Sequence, residues 1–132
     1  MTEKVAEYSL EPGDHGTTYG GNPLACAAVA KTVEIFERED IVSHVREIGG
    51  YLAGKLDELV SEYDTVLERR GVGLIQGIKS EKPAGEVISR ALEDGLIVIS
   101  ARDNVIRLVP PLIIERKHVD EMLEKLKRAI EA

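Results

Sequence analysis

The sequence predicts an α+β fold, with helices packed on a small, mostly antiparallel sheet. Three observations carry this. Apolar residues recur at helical spacing in two long stretches, about 23 to 63 and 116 to 131. Between them lie short apolar runs of strand length, at 66 to 78 and 96 to 109. Glycines and prolines fall at the joints, so the order reads helix, helix, strands, helix, hairpin, helix.

Residues 1 to 11 are polar and without a clear period. A loop dense in turn formers follows, from Pro12 to Gly21, and ends at Asn22-Pro23, an N-cap followed by proline at the first helical position. The helix at about 23 to 38 starts with the small residues Ala25, Cys26, Ala27, Ala28 and Ala30. Small side chains permit close backbone approach, so burial is expected there, Cys26 included. A second helix, about 41 to 63, places Ile41, Val45, Ile48, Leu52, Leu56 and Leu59 on one stripe. Gly49-Gly50 interrupts that stripe at a cost of about 1 kcal/mol per glycine against alanine, and marks a candidate bend.

From Thr65 the period changes. Val66-Leu67 and Arg70 to Ile78 read as strands interrupted by glycines, which mark bulges or close backbone approach. A short helix, about 84 to 93, ends at Gly95 as its C-cap. Leu96 to Ser100 and Val105 to Val109 form a hairpin, and Pro110-Pro111 stops its second strand. The last helix, about 116 to 131, has Val119, Met122, Leu123, Leu126 and Ile130 as its core stripe. Its charged residues from Glu115 to Arg128 read as an exposed face, and His44 and His118 are expected on polar, solvated faces.

Composition bounds the function. The chain has 132 residues, enough for one domain and few for two. With 43% hydrophobic and 31% charged residues it falls among globular chains. A net charge of −7 argues against a nucleic-acid or anionic-membrane partner. No run approaches the ~18 apolar residues of a membrane span, and there is no signal-peptide core, so a cytoplasmic protein is expected. Cys26 is the only cysteine, which excludes an internal disulfide and a cysteine-based metal cluster. No His and carboxylate set has metal-ligand spacing.

The segment from His15 to Pro23 is the richest in chemistry. Glycines let backbone amides converge, Thr17 and Thr18 add hydroxyls, and a helix start adds positive partial charge. Those features suit an anion cradle. They suit equally a glycine-rich turn leading into a capped helix. Neither a P-loop nor a dinucleotide fingerprint is present. His15 has no evident acid partner, so a hydrogen bond within the loop is its expected role.

The run Gly13-Asp14-His15-Gly16-Thr17-Thr18-Tyr19-Gly20-Gly21-Asn22-Pro23-Leu24-Ala25 resembles the loop that leads into the C-terminal domain of class III pyridoxal-phosphate-dependent aminotransferases. Two further stretches resemble the same family in order: Arg70-Gly71-Val72-Gly73-Leu74 with Gly77, and Asn104 to Leu112. The latter is similar to the acetylornithine and ornithine aminotransferases. The resemblance implies that residues 1–22 are a loop remnant of a large domain. Residues 23–132 would be the C-terminal small domain of a fold-type I enzyme, with its leading long helix.

It also implies roles. Thr18 matches the threonine that binds the cofactor phosphate across a homodimer interface, and Thr17 matches the neighbouring position on the substrate side. Arg107 matches the arginine near the active site that is associated with the substrate α-carboxylate and with a gating glutamate elsewhere in the protein; a planar guanidinium fork suits a carboxylate. A structural ion pair is the competing reading for Arg107. The resemblance further places the Schiff-base lysine, the aspartate at the pyridine nitrogen and the stacking aromatic upstream. Lys4 is the only lysine before Thr17, and its surroundings do not resemble the lysine segment. No catalytic residue is therefore assigned in this chain. Met1 is expected to be an internal methionine used as a start, an engineered boundary or the product of a split gene.

Two functions follow as expectations. In the first, the chain is the C-terminal part of an acetylornithine or ornithine aminotransferase. The intact parent would use pyridoxal phosphate to pass an amino group to 2-oxoglutarate in arginine metabolism. The chain alone would be inactive and would bind no cofactor, and its partners would be the large domain and a second subunit. In the second, it is a non-catalytic α+β module that self-associates or binds a partner aminotransferase chain.

Overall fold

A computed structural model describes Glu3, Glu7 and residues 16–131. The readings made for residues 8–15, including the role of His15, and for Lys4 lie outside the described residues. The chain divides into two compact units, Met1–Glu39 and Asp40–Ala132.

In the first unit, helix α1 (Pro23–Arg38) begins as the sequence predicts. Asn22 is extended, its side chain accepts from the Ala25 amide at 3.0 Å, and Pro23 opens the helix. The expected burial of its start is not found. Ala25, Cys26, Ala27, Ala28 and Ala30 are all exposed, and the helix contains no buried residue. Small residues permit close approach but do not supply the surface that approaches.

The second unit holds α2 (Ile41–Glu62), β1 (Val66–Val72), β2 (Ile75–Ser80) and α3 (Ala84–Glu93), then β3 (Ile99–Ala101), a 3-10 turn (Arg102–Asn104), β4 (Val105–Leu108) and α4 (Arg116–Glu131). The sheet runs β1-β2-β4-β3 and every pairing is antiparallel. Ile48, Leu52, Leu56 and Leu59 of α2 share one core with Ile78 and Ile106 of the sheet. Val87 of α3 and Leu126 of α4 join the same core. Each fully buried aliphatic side chain contributes about 1.5–3 kcal/mol.

Gly49-Gly50 does not break α2, which is continuous. A Cβ on Gly49 would lie 2.6 Å from the Gly73 carbonyl carbon, so the β1–β2 turn rests on the helix backbone at that point. Gly73 itself has φ +57. The irregularity in the β1–β2 ladder falls at Leu67, between Val66 and Glu68, and not at a glycine. Gly77 instead marks close approach, since a Cβ there would meet Val105 Cγ1 at 2.7 Å.

Helix α3 ends as expected at a left-handed Gly95 with φ +73. The Leu96 amide donates to the Ala91 carbonyl at 2.7 Å and the Gly95 amide to the Leu92 carbonyl at 3.0 Å. These bonds engage Leu96, and β3 is shorter than predicted, starting at Ile99. The hairpin turn places Asp103 and Asn104 in left-handed conformation, both at φ 62. Asn104 then ties the β3–β4 turn to the connection between β2 and α3. Its amide nitrogen donates to the Ser80 and Lys82 carbonyls, at 2.5 and 2.7 Å, and its oxygen accepts from the Ala84 amide at 2.6 Å.

His44 departs from the expected solvated position. It is half-buried, with Nε2 2.8 Å from the Ile114 carbonyl, because α2 packs against the segment entering α4. His118 is exposed, but its Nδ1 accepts the Glu115 amide at 2.9 Å and so caps α4 from within. Of the predicted α4 stripe, Met122 is half-buried and Ala129 takes a core place beside Ile130.

Candidate functional site

The threonine loop and Arg107 fall in different units. In the first, residues 18–21 form a turn in which the Gly20 amide donates to the Thr17 carbonyl at 3.4 Å. Gly21 has φ +71, and Asn22 Nδ2 donates to the Tyr19 carbonyl at 2.7 Å. Gly20 has a steric reason to be glycine: a Cβ there would stand 2.7 Å from Thr17 Oγ1. Thr17 and Thr18 are both exposed.

The donors available to an anion can be counted. Pro23 has no N–H and the Ala25 amide is held by Asn22, which leaves Leu24 among the first three helical residues. The helix start therefore contributes less than its position suggests, and the Thr17 and Thr18 hydroxyls add two donors beside the loop's own backbone amides. Gly16 to Asn22 contains no acid to repel a phosphate and no cation to neutralise it. The residues present fit the phosphate of pyridoxal phosphate as hydrogen-bond donors only, and its charge must be met from beyond this loop.

In the second unit, Arg107 occupies the centre of β4, between the buried Ile106 and Leu108. Alternation along a strand turns it away from the core, onto the open face of the sheet. It is exposed, and among the described residues it takes part in no ion pair. A structural ion pair is thus not its role within the described residues. An unpaired guanidinium held on a rigid central strand can receive a carboxylate in two parallel hydrogen bonds.

The ladder brings two more residues to the same row. Gly77 of β2 pairs with Arg107, and Arg70 of β1 pairs with Gly77. Both stood in a motif noted in the sequence, but strand register, which sets them beside Arg107, is not written in that motif. Among the described residues no cluster of three His, Cys, Asp or Glu side chains could hold a metal. No helix of the described residues is long and apolar enough to cross a membrane.

The shifted titrations lie elsewhere and are structural. Tyr63 is pushed up to about 12, first by its hydrogen bond to Glu131 at 2.5 Å and then by burial. Tyr51 is raised by its bond to Asp120, which links α2 to α4. Glu115 and Glu121 are lowered by hydrogen bonding to Lys117 and Lys125.

Comparison with known proteins places these elements. The family model of aminotransferase class-III matches residues 1–130. The chain is 46% identical over 129 residues to an acetylornithine aminotransferase of Gloeobacter violaceus, covering 96% of this chain and 32% of that protein. It is 39% identical to the acetylornithine aminotransferase of Methanocaldococcus jannaschii, covering 96% of this chain and 31% of that protein. Among solved structures, the ornithine delta-aminotransferase of Plasmodium falciparum superposes with a TM-score of 0.82 at 32% identity, covering 92% of this chain and 33% of that one. The chain thus spans about a third of the length of the relatives it matches. On the match over nearly its whole length, this chain belongs to the class-III aminotransferase family.

Proposed function

We propose that the chain supplies the phosphate-side loop and the carboxylate-binding sheet of an acetylornithine or ornithine aminotransferase. The parent would transfer an amino group to 2-oxoglutarate in arginine metabolism, as a cytoplasmic homodimer. Residues 1–22 are read as a remnant of the large domain and 23–132 as the small domain. The observation that carries the reading is Arg107: a guanidinium with no acid partner among the described residues, on the open sheet face, in a segment that resembles the family's carboxylate-binding stretch.

Pyridoxal phosphate, when bound, supplies an electron sink for the amino-acid carbanion. This chain's residues act around it. Thr18 would hold the phosphate by its hydroxyl, Thr17 would line the substrate side, and Arg107 would fix the substrate by its carboxylate. A fixed carboxylate orients the rest of the molecule and converts a chance encounter into a positioned one. The lysine that carries the cofactor belongs, on this reading, to the segment of the family not matched here, so the chain alone has no transaminase activity.

The test is to mix the chain with pyridoxal phosphate, reduce with borohydride and map lysines by mass spectrometry. No single lysine labelled is the expected result, with activity restored on adding the separately expressed remainder of a relative's chain. Stoichiometric labelling of one lysine in the chain alone would sink the reading of what it lacks. Failure of Arg107→Ala to weaken substrate binding in the restored enzyme would remove the role given to Arg107.

A second reading is favoured by exposed apolar side chains in the second unit. Val72 is 83% exposed, Ile97 81% and Ile113 72%, and exposed apolar side chains are what an association surface would use. It takes the chain as a module that self-associates or binds an aminotransferase chain. A concentration-independent monomer in light scattering would count against it.

A further inference from the structure

Arg70, Gly77, Arg107 and Ile99 form one row across β1, β2, β4 and β3. Opposite residues of a ladder share a face, so Arg70 and Arg107 stand on the same open side of the sheet. They are two strand spacings apart, roughly 10 Å, with a glycine between them. Two guanidiniums so placed would receive both ends of a short dicarboxylate.

Arg70, however, is already engaged. Glu68, two residues earlier on the same strand and face, accepts from its Nε at 2.9 Å and also from Nη2. Asp103 reaches it from the β3–β4 turn, with Oδ2 3.9 Å from Nη1. Asp103 belongs to the turn before β4 and Arg70 to β1, so the pair spans β2. Two carboxylates thus attend one cation, while Arg107 has none among the described residues. Lys79, the ladder partner of Glu68, adds an ammonium to the face but not a planar fork.

We propose that Glu68 and Asp103 are specificity-determining residues: they occupy Arg70, so that this face receives one carboxylate, at Arg107, and not two. The second carboxylate of a dicarboxylate then has to be bound by a group outside this face. The proposal rests on the reading of Arg107 as a carboxylate site and adds which ligand end the sheet ignores.

The experiment is a titration of the isotope-labelled chain with acetate and with glutarate, followed by NMR at the arginine side-chain N–H groups. Wild type should respond at Arg107 alone, with equal affinity per carboxylate for the two anions. The double variant E68Q/D103N should respond at Arg70 as well and favour glutarate by about fourfold, the scale of two screened charges at this range. The single variants should fall between, and Arg70→Ala in the double variant should abolish the gain. Backbone spectra unchanged away from the two positions establish that the variants are folded. Response at Arg107 without any gain in the double variant, or a glutarate preference already present in wild type, overturns the proposal and leaves the carboxylate site standing. No response at Arg107 to either anion overturns both.

Discussion

Adjacent glycines in α2 should respond oppositely to the same substitution. At Gly49 an added Cβ would lie 2.6 Å from the Gly73 carbonyl carbon and 2.7 Å from both its Cα and its oxygen. All three are backbone atoms, so no rotamer change relieves the clash and the helix and turn must separate. Overpacking of this kind costs about 1–3 kcal/mol or more, against a gain of about 1 kcal/mol in helix propensity. Three backbone contacts this short put the cost at the upper end of that range, so the net for Gly49→Ala is a loss of about 2 kcal/mol. At Gly50 nothing lies within 4 Å and the position is exposed, so the propensity gain of up to about 1 kcal/mol stands alone. Urea denaturation followed by far-ultraviolet circular dichroism reads both as shifts of the midpoint. In heat denaturation 1 kcal/mol corresponds to roughly 4–8 °C for a domain of this size. The reasoning is refuted if Gly49→Ala is as stable as wild type, or if both variants move in the same direction.

Three other outcomes follow. Replacing Asn104 by alanine removes three hydrogen bonds, leaves two carbonyls and an amide without their partner, and puts at φ 62 a residue that tolerates the left-handed region less well than asparagine. A loss of about 2–4 kcal/mol is expected in the same urea assay, with Asn104→Gly recovering about 1 kcal/mol of backbone strain. Gly95→Ala meets no neighbour closer than Lys125 Nζ at 3.9 Å, so its cost is the positive φ alone, about 1 kcal/mol in heat denaturation. Tyr63 favours its neutral form in the fold, since ionisation would set a phenolate against Glu131. Its contribution is complete below its unfolded value near 10 and is lost as pH rises through about 12. Tyr63→Phe should therefore flatten the stability profile of the chain in that window.

Element positions were largely legible because each rests on a local cause. Asn22-Pro23 sets the start of α1, Gly95 the end of α3 and Pro110-Pro111 the end of β4, each through its own backbone chemistry. Burial in α2 and α4 was legible for a similar reason, since a stripe at helical spacing has one apolar side to hide. Burial of α1 was not: a run of alanines is compatible with a close neighbour and equally with none. His44 shows the same limit from the other side. Its sequence neighbourhood is polar, and only the return of the chain at Ile114, seventy residues on, supplies the carbonyl that engages it.

The site divides along the same line. Thr17, Thr18 and Arg107 could be picked out because their segments resemble a known family, and the resemblance is met by the match over residues 1–130. What the residues do next to one another depends on register, which a one-residue slip would invert face for face. Arg70 and Arg107 are thirty-seven positions apart in sequence and stand in one row only because β2 pairs with both β1 and β4. Gly77 is the hinge of that arrangement. With a side chain there, the new Cβ would stand 2.7 Å from Val105 Cγ1 and 3.4 Å from the Ile106 carbonyl oxygen, so the Val105 side chain would have to give way. A glycine that looks like a weak point of a strand is therefore what lets β4 lie against β2 without displacing Val105.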